Sequence, residues 1–423
     1  MQRGYLNRFS AKPMTQAIAI CRICGFEDLV PVLSLGSLPL ANALLKAEQL
    51  SEPEPRFPLD VVLCPNCSLL QITETVPPEL LFRNYPYFSS FSDTMLRHAH
   101  ALAKNLTESL NLTSKNLVIE VASNDGYLLQ YFKQMDIPVL GIEPATNIVS
   151  VAEAKSIPTI NEFFDDQLAK KLSQNGKQAD VIIGNNVLAH VAHLHEFVEG
   201  IRLLLKPDGT AVFEVAYARE TIDHCEFDQI YHEHLCYYSL TALVHLFALH
   251  DLQVVDAEVV TVHGGSLRIY VRLKDHTLPS ARMLALLEEE GAWGIKDKEA
   301  YAHFAAQVAA KRETLLALLR KLKAAGHRIA GYGAAAKGSI MLNAFGIGPE
   351  LLDYVVDRST YKQGLYMPGC HLPIYAPERL LEEKPDYALM LAWNFKAEVL
   401  EQQAPYRQAG GKFIIPIPEI EIV

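Results

Sequence analysis

The chain has 423 residues, a formal net charge of −11, and 50% hydrophobic and 21% charged residues. That length predicts two or three domains with sizeable cores. The acidic balance argues against DNA or RNA as a partner, because holding a phosphate backbone relies on basic patches, but a small anionic ligand held by a few Lys or Arg residues stays open. No run is apolar enough over enough residues to span a bilayer, so no membrane partner is expected. Within residues 1–20 only the stretch 17–20 is apolar, beside Arg3 and Arg8, which does not make a secretory signal. Four of the seven cysteines sit in Cys-x-x-Cys pairs. That usage fits metal ligation in a reducing compartment, and a cytoplasmic location is expected.

Residues 1–84 are rich in Pro and Leu, with short strand-like runs such as 59–63 and no long helical pattern. A segment with so small a core needs a staple. Cys21-Arg-Ile-Cys24 and Cys64-Pro-Asn-Cys67 offer one. Four thiolates complete a tetrahedral zinc shell and leave no open position, so the ion is expected to be structural. The 39 residues between the pairs exceed a compact zinc ribbon, so the metal ties together turns distant in sequence. Two unrelated thiol turns, or a redox pair at a helix start, are the alternatives. The segment before Cys21 is expected to lack fixed structure.

A helix is predicted over 93–110, capped by Asp93, from Met95, Leu96, Ala99, Leu102, Leu106 and Leu110 at helical spacing. Strands at 117–121, 139–142, 179–183 and 209–215 then alternate with helices at 127–135, 145–154 and 194–205, the pattern of a parallel sheet covered on both faces. The first strand runs into Glu120-Val-Ala-Ser123-Asn124-Asp125-Gly126. A nicotinamide fingerprint would carry three glycines there. This polar, acidic turn suits a ligand without phosphates, and S-adenosylmethionine, with its cationic sulfonium, is such a ligand. Glu143 ends the next strand 17 residues beyond Gly126, where a carboxylate accepts from ribose hydroxyls. Asn185, Asn186 and His190 close the strand beside it, on the ligand-binding edge of such sheets; loop capping is the alternative for the asparagines.

Tyr231-His-Glu233-His234 puts a titratable base beside an orienting carboxylate. Its spacing does not match a helical pair of metal-ligating histidines, and a catalytic role is expected. A helix at 241–249 and a hairpin at 254–262 and 267–271 follow. Residues 280–325 are helical in pattern. A second α/β unit has strands at 329–333, 354–357, 387–391 and 412–415. Its turn, Gly331-Tyr-Gly333-Ala-Ala-Ala336, resembles a dinucleotide fingerprint, with Asp357 ending the next strand 24 residues after Gly333. Lys337, Arg358 and Lys362 add cations for the pyrophosphate of a nucleotide. A ligand-free tight turn is the alternative.

Taken in order, these motifs resemble the S-adenosylmethionine-dependent C-methyltransferases of nucleotide-linked deoxysugars. The resemblance rests on both Cys pairs, Tyr85-Pro-Tyr-Phe-Ser-Ser-Phe-Ser92, the Ser-Asn-Asp-Gly turn, Tyr231-His-Glu-His234, His263-Gly-Gly-Ser-Leu-Arg268 and Gly-Tyr-Gly-Ala-Ala-Ala-Lys-Gly338. It implies an α/β chain: a zinc-binding module (1–84), a Rossmann-like class I methyltransferase core (85–275) and a C-terminal α/β Rossmann-like domain (276–423) sharing the nucleotide-sugar site. It also implies a monomer acting on a nucleotide-linked 4-keto-deoxysugar of dTDP or GDP type. His234 is then the base that removes the proton at C3, acidified by the C4 ketone. Tyr231 and Glu233 position the sugar or stabilise the enolate oxygen, helped by Tyr87 or Tyr85, of which Tyr87 is assigned to catalysis and Tyr85 to the substrate. An NAD-dependent oxidoreductase, a methyltransferase acting on another acceptor, and a zinc-bearing interaction protein are the rival readings.

Overall fold

The computed structural model describes residues 15–83, 85, 87–274 and 277–423. Of the segment before Cys21, expected to lack fixed structure, residues 1–14 lie outside the described residues, as do Asn84, Pro86, Asp275, His276 and the side chain of His263. Gln16–Ala17 of that segment is instead a strand paired antiparallel with Glu74–Thr75, whose backbone groups give it a fixed partner.

Three antiparallel strands build the first of the larger sheets: β1 (Val30–Pro39), β2 (Arg56–Leu63) and β3 (Leu70–Ile72). On β2, Phe57, Leu59, Val61 and Leu63 are buried while Arg56 and Pro58 face solvent. That alternation is the mark of a sheet with one wet face. The first long helix, α1 (Asp93–Ser109), buries Met95, Ala99, Leu102, Ala103 and Leu106. Its cap is Ser92 and not Asp93: the Ser92 hydroxyl accepts from the Met95 N–H at 3.3 Å. The serine sits in the extended conformation that an N-cap requires, and Asp93 is already inside the helix.

The central unit alternates as expected, with β6 and α4 as an additional pair: β4 (Val118–Val121), α2 (Leu129–Gln134), β5 (Val139–Ile142), α3 (Thr146–Ala154), β6 (Thr159–Ile160), α4 (Asp166–Gln174), β7 (Ala179–Asn185), α5 (Leu194–Leu204) and β8 (Leu205–Ala216). β4 is buried at every position, as a strand covered on both faces must be. The chain then crosses to the first sheet, where β9 (Cys236–Tyr237) pairs with β3. After α6 (Leu240–Ala248) it returns as the antiparallel pair β10 (Leu252–Val260) and β11 (Ser266–Leu273). The seven-stranded sheet runs β10-β11-β8-β7-β4-β5-β6, with β11 antiparallel to β8. The predicted hairpin is therefore the edge of the central sheet. This is the expected Rossmann-like core.

α7 (Ala281–Trp293) docks on that core through Glu290, whose fully buried carboxylate accepts from the N–H groups of Leu240 and Thr241 at 2.6 and 2.8 Å. It caps the start of α6. α8 (Phe304–Ala324) leads to β12 (Ile329–Tyr332), α9 (Ala336–Phe345), β13 (Val355–Val356), β14 (Ile374–Tyr375), β15 (Tyr387–Met390), α10 (Lys396–Gln402), β16 (Lys412–Ile415) and β17 (Glu421–Ile422). These strands form a six-stranded sheet ordered β14-β13-β12-β15-β16-β17, parallel except at β17. The C-terminal ends of the central and last sheets and the loops of the first converge on one cavity of 670 Å³.

Candidate active site

The two Cys-x-x-Cys turns are copies of each other. In each, the first cysteine's carbonyl accepts from the residue after the second: Gly25 N–H to Cys21 at 3.0 Å, and Ser68 N–H to Cys64 at 2.8 Å. Gly25 and Ser68 both have positive φ, 69° and 65°. Cys21 and Cys67 Sγ lie 3.5 Å apart, Cys24 and Cys64 Sγ 3.6 Å, and all four within 4.8 Å of one another. Zinc–sulfur bonds in a regular tetrahedron place sulfurs about 3.8 Å apart, so the four thiolates fit a zinc ion. Asn66 Nδ2 donates to Cys24 Sγ at 3.4 Å, the kind of outer contact that orients a ligand.

The first glycine turn bends sharply after β4, with Ala122, Asn124 and Gly126 all at positive φ. Asn124 and Glu143 line the cavity, with Asn185, Asn186 and His190 from the end of β7 and the loop after it. Glu120, Ser123, Asp125 and Gly126 lie behind that wall. Glu143 accepts from the N–H groups of Asn124 at 3.0 Å and Ala145 at 2.9 Å, and burial pushes its carboxyl up to about 7. Burial pushes Glu120 well above the usual carboxylate range, with the Asp125 and Glu143 charges adding to it. Glu120 Oε2, Ser123 Oγ, Asp125 Oδ1 and Asn185 Oδ1 are buried without a hydrogen-bond partner. Buried orphans are expensive. Oxygen acceptors around this turn fit a ligand with a cationic sulfonium and ammonium, as S-adenosylmethionine has.

The Tyr-His-Glu-His segment divides its labour. The His232 ring is buried against the first sheet, with Nε2 near the carbonyls of Phe57 and Pro58 at 3.2 and 3.1 Å. His234 Nδ1 donates to the Gln229 carbonyl at 2.9 Å, since a carbonyl only accepts, and Nε2 keeps its lone pair. The Tyr231 hydroxyl sits 2.7 Å from that Nε2. Burial raises the Tyr231 phenol well above its ordinary value. Glu233 receives Asn42 Nδ2 at 2.8 Å and the Tyr85 hydroxyl at 3.2 Å, and burial pushes it up to about 7. Tyr85, not Tyr87, therefore touches the cluster. Tyr87 lines the cavity, its phenol pushed up to about 12 by burial, and its carbonyl accepts from Asn124. His190 joins this cluster as well as the cavity wall beside Asn185 and Asn186. Its Nδ1 donates to the Glu233 carbonyl at 2.8 Å, its ring lies 4.7 Å from that of His234, and burial lowers it to about 4.

At the second glycine turn, Gly333 has φ 97°, and a Cβ there would meet Ala392 Cβ at 2.7 Å. Asp357 spends both oxygens on the loops, accepting from the Ala334 and Ser359 N–H groups, each at 2.7 Å. Lys362 donates to the Ala334 carbonyl at 2.8 Å and is 7% exposed. Arg358 pairs with Glu398 at 3.1 Å. Lys337 lies 4.6 Å from the centre of the Trp393 ring; burial lowers its pKa, opposed by Asp228 and Glu226. All three cations line the cavity, but each is already engaged by the protein. Asn42 and Gln229 reach this site without any motif that announces them. One follows a strand of the first sheet, and the other acts through its backbone carbonyl.

Three family models match in chain order: a zinc binding domain over 21–82, a methyltransferase domain over 95–257 and a C-methyltransferase C-terminal domain over 261–418. The C-methyltransferase NovU of Streptomyces niveus is 36% identical over 405 residues, 95% of this chain and 96% of that relative. Among solved structures, the magnesium protoporphyrin IX methyltransferase of Synechocystis PCC 6803 is 15% identical, covering 42% of this chain and 79% of that one with a TM-score of 0.32. An S-adenosylmethionine-dependent methyltransferase from Clostridium acetobutylicum is 11% identical over 43% and 92%, with a TM-score of 0.34. With a zinc-binding module, a methyltransferase core and a C-terminal domain matched in that order, and that identity over nearly its full length, this chain belongs to the S-adenosylmethionine-dependent C-methyltransferases.

Proposed function

We propose that the enzyme methylates C3 of a nucleotide-linked 4-keto-deoxysugar through an enolate. The observation that carries this reading is the His234 ring: Nδ1 is held on the Gln229 carbonyl, and Nε2 presents its lone pair where Tyr231, Glu233, Tyr85 and His190 converge. S-adenosylmethionine, when bound, supplies the methyl group from its sulfonium. Asn124, Glu143, Asn185 and Asn186 would hold it on the cavity wall, with Glu120, Ser123, Asp125 and Gly126 shaping the turn behind.

As the sugar enters, the Tyr231 hydroxyl turns from Nε2 to the C4 oxygen. Nε2 then takes the C3 proton, and the electron pair of the broken C–H bond moves onto that oxygen as the enolate. A neutral imidazole suits this step near neutrality, and phenol donors on the growing oxyanion are its main electrostatic help. Tyr85 and Glu233 extend the donor network; Tyr87 narrows the cavity beside them. Lys337, Arg358 and Lys362 lie on the nucleotide side, where a dTDP or GDP group would run. The cysteine usage supports a cytoplasmic enzyme, and a monomer suffices because all three sheets of one chain supply the site.

Mass spectrometry of a reaction with deuteromethyl-labelled S-adenosylmethionine and a panel of nucleotide 4-keto-6-deoxysugars tests the reading. A product heavier by one labelled methyl that survives mild acid and base is expected. Cofactor binding without transfer to any sugar removes the acceptor class. NADH binding in place of S-adenosylmethionine binding returns the oxidoreductase. His234→Ala should lose turnover by 10²–10⁴-fold, the usual range for a general base, while still binding cofactor; an unchanged rate takes His234 out of that role.

A further inference from the structure

Behind His234, side chains of two sheets meet on the short segment 226–229. Asp228 is fully buried, and its Oδ2 accepts from the Trp393 indole N–H at 2.7 Å. Asp228 Oδ1 has no hydrogen-bond partner. The Lys337 ammonium stands over the Trp393 ring and faces Asp228 and Glu226. Phe227 stacks on Phe345 of α9 with centroids 4.6 Å apart. The segment ends at Gln229, whose side chain donates to Glu226 and whose carbonyl is the acceptor of His234 Nδ1. Glu226 in turn packs against Gly264, where a Cβ would meet its Oε1 at 2.3 Å. The hairpin connection around Gly264 and the Gly-Tyr-Gly-Ala-Ala-Ala-Lys turn, far apart in sequence, thus close on the same four residues.

We propose that Lys337, Asp228 and Trp393 are positioning residues for the proton abstraction, holding the Gln229 carbonyl under His234 Nδ1 and so keeping the lone pair on Nε2. This rests on reading His234 as the base. The cation of α9 stands over the indole that holds the carboxylate of the central unit, and that carboxylate fixes the backbone that fixes the ring. A carbonyl that drifted away would let Nδ1 lose its proton to Nε2, and the base would present N–H to the sugar. A buried carboxylate bound by an indole N–H, with an ammonium over the same ring, holds such a segment more rigidly than an exposed contact can.

The competing role for Lys337 is a direct bond to the substrate diphosphate, and kinetics separate the two. In the full-length, zinc-loaded enzyme, Lys337→Met, Asp228→Asn and Trp393→Phe are compared for kcat, for KM toward the nucleotide sugar, and for C3 proton exchange into D2O with S-adenosylhomocysteine bound. The expected result is a fall of tenfold or more in both kcat and exchange for Lys337→Met and Asp228→Asn. Trp393→Phe should give a smaller fall, and KM should stay within threefold. Lys337→Arg, which keeps a cation over the indole, should recover most of the rate. A tenfold rise in KM with kcat preserved overturns the proposal, as does exchange that stays at the native rate. Trp393→Phe preserves the packing and reads the same outcome if Asp228→Asn folds poorly. His234→Ala run alongside keeps the two readings apart: native exchange in that variant sinks the base assignment itself, whereas native exchange in the other three sinks only the positioning role.

Discussion

The two glycine turns share a plan and differ in what they leave open. Each follows a buried parallel strand, and each is tied by a carboxylate from the next strand. Glu143 binds the Asn124 and Ala145 N–H groups, and Asp357 binds those of Ala334 and Ser359. The first turn keeps carboxylate and amide oxygens buried and without a partner, at Glu120, Asp125 and Asn185, together with the Ser123 hydroxyl. The second leaves two serine hydroxyls, Ser339 and Ser359, in that state and fills its own cradle with Lys362. Acceptors await a cationic ligand, and hydroxyls near engaged cations suit an anionic one. A strand–turn–helix is thus only a frame; the atoms it leaves unpaired decide what it binds.

The largest test removes the zinc. Chelation should unfold the first sheet, because a structural zinc site contributes on the order of 10 kcal/mol to the fold it holds. Asn42 and Tyr85 would leave the cavity, and turnover should vanish. Cofactor affinity, built on the central turn, should stay within about tenfold by calorimetry, in keeping with the modest value of single hydrogen bonds. Cofactor binding lost together with the zinc would break the division between the turns.

Next in size, Glu143→Ala should weaken S-adenosylmethionine binding by roughly 10–100-fold, the range for a hydrogen-bonded charged group, with KM for the sugar little changed. Asp357→Ala should do the reverse. If both variants fail on the same ligand, the turns do not divide the substrates.

A smaller effect follows from burial. Glu143, Glu226 and Glu233 are raised to about 7, and Asp228 to about 6. A carboxyl raised in the fold holds its proton after the unfolded chain has released it, so its stabilisation is complete below about pH 4 and is lost as pH rises through the folded value. The melting temperature should therefore fall by several degrees between pH 5 and pH 8, and Glu143→Gln should flatten part of that slope. A melting temperature that climbs over this range contradicts the burial of these groups. Smallest of all, Arg358→Ala should raise the sugar KM only a few-fold, because Arg358 is partly exposed and already paired with Glu398.

Much of this architecture was legible because period and chemistry coincide. The alternation through residues 117–215 announced the parallel sheet, and β4, β5, β7 and β8 lie close to the expected spans, whereas the two-residue β6 was not expected. The cysteine pairs announced the four-sulfur cluster, whose ligands carry their own spacing. β9 could not be read: two residues have no period, and its partner β3 lies more than a hundred residues upstream. The assignment of Lys337 to phosphate shows the same limit. A lysine after a glycine turn reads in sequence as an anion ligand, and nothing in its neighbours announces that the fold also sets it over the Trp393 ring.

Residue identity alone specified the longer elements, the cysteine cluster, the polar first turn and the Tyr-His-Glu-His segment, since each is local and each residue type carries its own chemistry. Only the tertiary structure decided that Tyr85 and Asn42 hold Glu233, that His190 stands against His234, and that the Gln229 carbonyl sets the tautomer of the histidine assigned as base. Those contacts join segments that are unrelated in sequence, or run through a backbone atom that every residue possesses. Neither kind leaves a mark on residue identity.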